Sequence, residues 1–363
     1  MCKKIFVAST GQNTGKTTTS ISLLHLARKK YKRVGFIKPF GPKVINYQGQ
    51  DVDVDAALMA NVYGMEDDLT LMSPVVLHSQ TTRKVLDGRL DASHYLERIE
   101  QAVIELEKKC DFLIIEGAGH SGVGSVVGLS NAHVAKRLDA PVLMVAGGGI
   151  GSVIDDIHLN LAIFREAGAE VRVILPNKLL HSKREMILHY LDLAFRDRGI
   201  KVVGGFNYSP ILANPTLRYL SSMLKLKLNA DQKLGSRIVL NVQLGAASTQ
   251  RVVDKLLEST LVIVTSSRDE VLVMLATLYH LPEFKDKIAG LIITGVAPVA
   301  DIVQRVLDDA EIPYMRSTQT SAEVYTAIQA DVAKIRTDDY QKIGLVQRLA
   351  ETELDFATID SLF

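Results

Sequence analysis

The sequence predicts an α/β protein: a doubly wound, mostly parallel sheet followed by a second, smaller α/β domain. Three observations carry that reading. Short, β-branched, almost continuously apolar runs alternate with longer amphipathic segments, as expected of parallel strands covered on both faces. At 363 residues the chain is long for a single core. Between Asn207 and Lys233 the alternation loosens around two prolines and then a basic stretch, which suits a boundary or linker.

Taken in order, the first strand is Lys4–Ala8, leading into a helix over Gly15–Lys30. The cluster Arg28-Lys29-Lys30-Tyr31-Lys32-Arg33 falls at the end of that helix, where cations suit the dipole. The second strand is Arg33–Lys38. Beyond it, "QDVDVDAAL" enters a helix with Asp51, Asp53 and Asp55 at spacing two, which serves capping as well as metal binding. Strands at Asp111–Glu116, Pro141–Ala146, Val171–Leu175 and Lys201–Gly205 follow, separated by helices at Ser93–Lys109, Ser130–Leu138, Ser152–Glu166 and His181–Arg198. The second series has strands at Arg237–Val242, Leu261–Thr265, Gly290–Thr294 and Ile312–Met315, with helices after each and a last helix at Asp338–Glu353. The expected domains are 1–215 and 225–363. In such sheets ligands bind beyond the carboxyl ends of the strands.

Composition narrows the function. The 42 basic and 41 acidic residues leave a net charge of +1, so no global field recruits nucleic acid or an anionic membrane. The start of the chain has no signal-peptide architecture, and "PVLMVAGGGIG" falls short of a bilayer span. Cys2 and Cys110 are too few and too far apart in sequence for a disulfide framework or a zinc site. A reducing, cytoplasmic setting is therefore expected.

The chemistry begins with "STGQNTGKTTTS", directly after the first strand and opening the first helix. Gly15-Lys16-Thr17 completes a phosphate-binding P-loop, but Thr10 stands where the first glycine belongs and Gly11 arrives one place late. Backbone N–H groups at such a helix start attract an anion. The candidate nucleotide-binding residues are therefore Thr10, Gly11, Gln12, Asn13, Thr14, Gly15, Lys16, Thr17 and Thr18. Lys16 would reach the β- and γ-phosphates, and the Thr17 hydroxyl would bind Mg²⁺. "CDFLIIEGAGH" adds an apolar strand ending in Glu116, the acidic residue expected near the metal. Gly117 and Gly119 behind it let the backbone approach a γ-phosphate.

These residues resemble dethiobiotin synthetase and its relatives among the P-loop ATPases. That family also carries Thr at the position of Thr10. Its Lys-Pro is matched by Lys38-Pro39, its Asp-Ala by Asp55-Ala56, its Glu-Gly-Ala-Gly by Glu116–Gly119, and its late Asn by Asn177 in "VILPNK". The resemblance implies that Thr17, Asp55 and Glu116 hold Mg²⁺, and that Lys16 stabilises the transferring phosphoryl group. It implies that Lys38 neutralises a carboxylate or carbamate near the γ-phosphate. Asn177 would read adenine, making the nucleotide ATP, with GTP not excluded. A homodimer is expected by the same resemblance. The sequence departs from the family at Asn13, where the synthetase has an acid, and at "KPFGPK", which lacks its serine. His120 replaces a third glycine. Parts that handle phosphate are kept better than parts that handle substrate.

Residues 225–363 resemble the DRTGG domain through "LVIVTSSRDEVLVML", "IAGLIITGV" and "VAKIRTDDYQKIGLVQRLAE". This domain follows a dethiobiotin-synthetase-like domain in long bacterial phosphate acetyltransferases. The expectation is that the chain corresponds to the regulatory portion of those enzymes, without their catalytic domain. The expectation is an ATP- and Mg²⁺-binding regulatory or sensing protein. The alternative is an ATP-dependent ligase or carboxylase-type enzyme that phosphorylates a small carboxylate or carbamate. The cobyrinic acid amidases fuse a similar module to a glutaminase, which needs a cysteine nucleophile. No cysteine follows Cys110, so that reading is disfavoured.

Overall fold

The computed structural model describes residues 2–331 and 334–363. It divides into two compact units, Met1–Tyr208 together with Ile335–Phe363, and Ser209–Lys334. Each is built on its own sheet.

The first unit has six parallel strands: β1 (Lys3–Ser9), β2 (Val34–Ile37), β3 (Phe112–Glu116), β4 (Val142–Ala146), β5 (Val171–Pro176) and β6 (Lys201–Val202). Their order is β6-β5-β4-β1-β3-β2, so later strands lie on both sides of β1. Every residue of β3 and β4 is buried, as their unbroken apolar runs require. Each buried Ile, Leu, Val or Phe side chain contributes about 1.5–3 kcal/mol. The reversal of strand order opens a crevice at the carboxyl end of β1. Register then sets what lines it: Val7 pairs with Glu116 and Ser9 with Val145.

Helix α1 (Lys16–Lys30) starts there. Its N-cap, Gly15, has φ +113°, and a Cβ at this position would lie 2.0 Å from Asn177 Nδ2. Only glycine fits. Arg28, Lys29 and Lys30 close the last turn, as expected. After β2 an antiparallel hairpin, Val44–Tyr47 with Gln50–Asp53, leads into α2 (Val54–Tyr63). The expected helix after "QDVDV" thus starts on the second strand of a hairpin. Helices α3 (Tyr95–Lys109), α4 (Asn131–Arg137), α5 (Gly151–Ala167) and α6 (Arg184–Phe195) lie close to their expected bounds.

In the second unit β7 (Leu228–Asn229), β8 (Asn241–Leu244), β9 (Thr260–Thr265), β10 (Ile288–Thr294) and β11 (Tyr314–Ser317) form a sheet ordered β7-β11-β10-β9-β8. All pairs are parallel except β7 with β11. Alternate residues serve opposite faces. Val262, Val264 and Ile293 pack with Leu272 of α8 (Asp269–Tyr279) and Leu307 of α9 (Asp301–Asp309). Leu261, Ile263 and Ile292 pack with Leu217 of α7 (Leu217–Leu224) and with Val324 of the helix Ser321–Ala330. The stretch read as a loose linker therefore supplies a core helix and the edge strand β7.

The C-terminal helices differ from expectation. The second unit ends at Lys334, and Ile335–Phe363 folds with the first. Helix α10 (Tyr340–Glu353) packs on α1, burying Ile343, Val346 and Ala350. This is one amphipathic stripe, with spacings of three and four. Glu351 takes His25 Nε2 at 2.6 Å and Lys29 Nζ at 2.5 Å. In α11 (Phe356–Ser361) the nearly buried Asp360 receives Lys3 Nζ at 3.0 Å and the Tyr31 hydroxyl at 2.6 Å, with Lys30 as a third partner. The amphipathic period shows in the sequence, but the helix it packs on lies about 320 residues away.

Two further expectations meet the structure here. Cys2 and Cys110, read as too few and too far apart in sequence for a disulfide framework or a zinc site, have their sulfurs 3.1 Å apart, because β1 and β3 are neighbours. Among the described residues, no helix is long and apolar enough to cross a membrane.

Candidate functional site

The loop from Thr10 to Gly15 joins β1 to α1 and is held from behind. Thr10 N donates to Val145 O at 3.1 Å, and Ser9 Oγ and Thr14 Oγ1 both donate to Gly11 O. Asn160 Nδ2 donates to Thr10 O at 3.2 Å, Asn177 Nδ2 to Thr14 O at 2.8 Å, and Lys178 Nζ to Asn13 O at 2.7 Å. Five side chains thus take up four loop carbonyls. Gly15 offers no side chain to cap the first turn of α1. The loop keeps the geometry of an anion cradle, with Asn13 in the left-handed region at φ +59°. Gln12 and Asn13 are exposed; Thr18 is half-buried on α1, where its carbonyl accepts from Ser22 Oγ.

A buried charged cluster closes the other side. Lys38, beyond the end of β2, is 2% exposed, and Glu116, at the end of β3, is fully buried. Lys38 Nζ lies 2.9 Å from Glu116 Oε1, 3.0 Å from Asp55 Oδ2 and 3.1 Å from Gly117 O. Burial pulls the Lys38 ammonium down, but the charges of Asp55 and Glu116, with Asp53 behind them, more than reverse this and raise it. Thr17 Oγ1 stands 3.2 Å from Glu116 Oε1 and 3.4 Å from Asp55 Oδ1. Lys16 crosses toward the same place, donating to Ser9 Oγ at 2.7 Å and to Gly119 O at 2.6 Å.

Of the three aspartates in "QDVDVD", only Asp55 reaches the cluster directly. Asp53 caps α2, accepting from Asp55 N at 2.9 Å. Its other oxygen presses on Gly41, where a Cβ would lie 1.9 Å away. Burial pushes its carboxyl up to about 6, against the pull of Lys38. Asp51 is exposed on the hairpin, beside Asn46.

The oxygens of Thr17, Asp55 and Glu116 form a hard donor set, suited to a small divalent cation that keeps several waters. Glu116 Oε2 is a buried oxygen with no hydrogen-bond partner among the described residues. An oxygen of that kind is costly unless something else takes it up.

The structure therefore gathers Lys16, Thr17, Lys38, Asp55, Glu116, Gly117 and Gly119 at the carboxyl ends of β1, β2 and β3. Asn177 is 4% exposed and lies behind the loop, its amide nitrogen committed to Thr14. His120 is exposed and its Nδ1 accepts from Gly122 N at 3.2 Å. The sequence reading missed the supports. Asn131 clamps the Gly117–His120 turn, accepting from Ala118 N and donating to the carbonyls of Ala118 and His120. Asn160 holds Thr10. The available signal was a polar residue on the apolar stripe of a helix, as Asn160 is among Ile157, Leu161 and Phe164.

The AAA domain family model matches residues 3–216, and a DRTGG domain model matches 225–330. A phosphate acetyltransferase of Nitratidesulfovibrio vulgaris is 22% identical over 376 residues, covering 99% of this chain and 52% of the relative. An ATP-dependent dethiobiotin synthetase of Methanocaldococcus jannaschii is 28% identical over 177 residues, covering 48% of this chain and 78% of the relative. A cobyric acid synthase of a Synechococcus strain is 29% identical over 226 residues, covering 56% of this chain and 44% of the relative. The chain spans about half the length of the phosphate acetyltransferases it matches.

Proposed function

This chain belongs to the AAA domain family, and on that premise we propose that its first unit binds ATP with Mg²⁺ and that the protein acts as a nucleotide-responsive regulator. The observation that carries the proposal is the convergence of Lys16, Thr17, Lys38, Asp55 and Glu116 on one crevice beside the Thr10–Gly15 loop. The loop N–H groups and Lys16 would hold the phosphates, and Thr17, Asp55 and Glu116 would hold the metal. Bound there, the metal would neutralise phosphate charge. To meet a nucleotide, Lys16 must give up its bonds to Ser9 and Gly119 O. Those bonds keep its ammonium ready beside the loop.

The regulatory part of the proposal draws on the relatives. The similarity to phosphate acetyltransferase runs through both units and leaves about half of that enzyme unmatched. A second reading is favoured by Lys38 and by the dethiobiotin synthetase similarity. Its buried ammonium, beside the proposed metal oxygens, is chemically suited to a carboxylate or carbamate next to a terminal phosphate. On that reading the protein phosphorylates a small carboxylate or carbamate.

Phosphate release from ATP and Mg²⁺, with and without a panel of small carboxylates and amines plus bicarbonate, separates the two readings. A regulator binds ATP with slow hydrolysis that no panel member accelerates. An enzyme of the second kind is accelerated by one of them and releases phosphate in step with product. No binding of any nucleotide overturns both.

A further inference from the structure

Cys2 stands just before β1, and Cys110 stands two residues before β3. Because Lys3 pairs with Phe112 in parallel register, Cys2 comes opposite Asp111 and beside Cys110, although the two are 108 residues apart in sequence. Their sulfurs lie 3.1 Å apart and both are free thiols. A disulfide needs about 2.05 Å, so the sulfurs must close by roughly 1 Å. Gly35 leaves the room: a Cβ there would lie 3.1 Å from Cys110 Sγ.

The two thiols are not equivalent. Cys2 is half-buried and Cys110 is 5% exposed. The hydrogen bond from Cys110 draws the Cys2 thiol down, more than burial raises it; the same contact, followed by burial, pushes Cys110 up. The more accessible sulfur is therefore the better nucleophile, and the buried one lies ready to attack it. Neither sulfur touches the candidate site, which lies at the other end of the same strands.

We propose that Cys2 and Cys110 form a reversible thiol–disulfide centre that exchanges with low-molecular-weight disulfides. The Cys2 thiolate attacks one sulfur of such a disulfide, forming a mixed disulfide and expelling one thiolate, which takes up a proton. The Cys110 thiolate then attacks Cys2 Sγ and expels the second. The cysteine pair loses two electrons, and the small disulfide gains them as two thiols. The product ties the start of β1 to the approach to β3, the strands that lead to the loop and to Glu116.

The test uses the full chain, reduced, desalted and incubated with oxidised glutathione. Thiols are then counted after unfolding, and intact and peptide masses are measured. The wild type is expected to lose both titratable thiols, to lose the mass of two hydrogens, and to give one peptide linking Cys2 to Cys110. Reductant restores both thiols. Cys110→Ser is expected to stop at a glutathione adduct on Cys2, since no second thiol can displace it. A wild type that keeps both thiols, ends as the same stable Cys2 adduct, or cross-links only between chains overturns the proposal. None of these outcomes depends on nucleotide binding, so the inference stands or falls separately from the proposed function.

Discussion

Lys38 Nζ and Glu116 Oε1 meet at 2.9 Å, joining the carboxyl ends of β2 and β3 in a fully buried ion pair. Asp55 adds a second carboxylate at 3.0 Å from the same ammonium. Such a pair contributes little against a well-packed apolar substitute, but removing one partner leaves the other buried and uncompensated. Lys38→Met is therefore expected to cost about 3–5 kcal/mol of stability. Urea unfolding of the nucleotide-free protein reads this as a lower midpoint at unchanged slope. A midpoint unmoved by the substitution means the pair is not formed.

Asp53 gives a pH prediction. Its folded carboxyl lies at about 6, above the ordinary value of 3.8, so between those values the folded state holds more protons than the unfolded one. Its contribution to stability therefore falls as pH rises through that window. Asp53→Asn keeps an oxygen for Asp55 N and removes the titration. The stability of the variant relative to wild type should rise from pH 4 to pH 6.5, by about 3 kcal/mol at most. A difference that stays flat with pH contradicts the assignment.

Asp360 gives the opposite sign. Burial would raise its carboxyl, but hydrogen bonds from Lys30, Tyr31 and Lys3 outweigh this and hold it below the usual range. The stabilisation is present above the ordinary carboxyl range and is lost as pH falls through the lowered value. Asp360→Ala removes the acceptor shared by three donors and is expected to cost about 1–3 kcal/mol at pH 7. Hydrogen exchange should quicken in α11 and at the start of β1. Unchanged exchange in both places contradicts the clamp.

Gly15→Ala tests the loop. The new Cβ would fall 2.0 Å from Asn177 Nδ2 at a backbone φ of +113°. Both the steric clash and the left-handed conformation oppose it. The variant is expected to lose its hold on Thr14 and to bind nucleotide at least tenfold more weakly. Wild-type affinity would show that the loop is not the binding element.

Much of this was legible in the sequence where the determinants are local. The apolar runs ending at Ala8 and Glu116 announce buried parallel strands, and "GKT" after the first of them announces the loop. The carboxylates of "QDVDVD" could not be sorted by spacing alone. Asp53 turns inward as a helix cap, Asp51 stays on the hairpin, and only Asp55 faces Lys38, because the hairpin sets the phase of α2. What stayed hidden is non-local. The return of α10 and α11 to the first sheet and the meeting of Cys2 with Cys110 depend on register between distant segments, which no local period encodes. Asn131 and Asn160 were hidden for the same reason: their partners lie on other elements.

A magnesium nucleotide is expected on the Thr10–Thr18 loop, held with Lys16, Asp55 and Glu116. Isothermal titration of ATP into the wild-type protein and Lys16→Ala, each with and without Mg²⁺, tests it most directly. The wild type is expected to show one saturable site, strengthened by Mg²⁺, and the variant at least a tenfold loss with its fold intact by circular dichroism. Equal binding by the two proteins, or no heat from ATP or GTP at millimolar concentration, would contradict it.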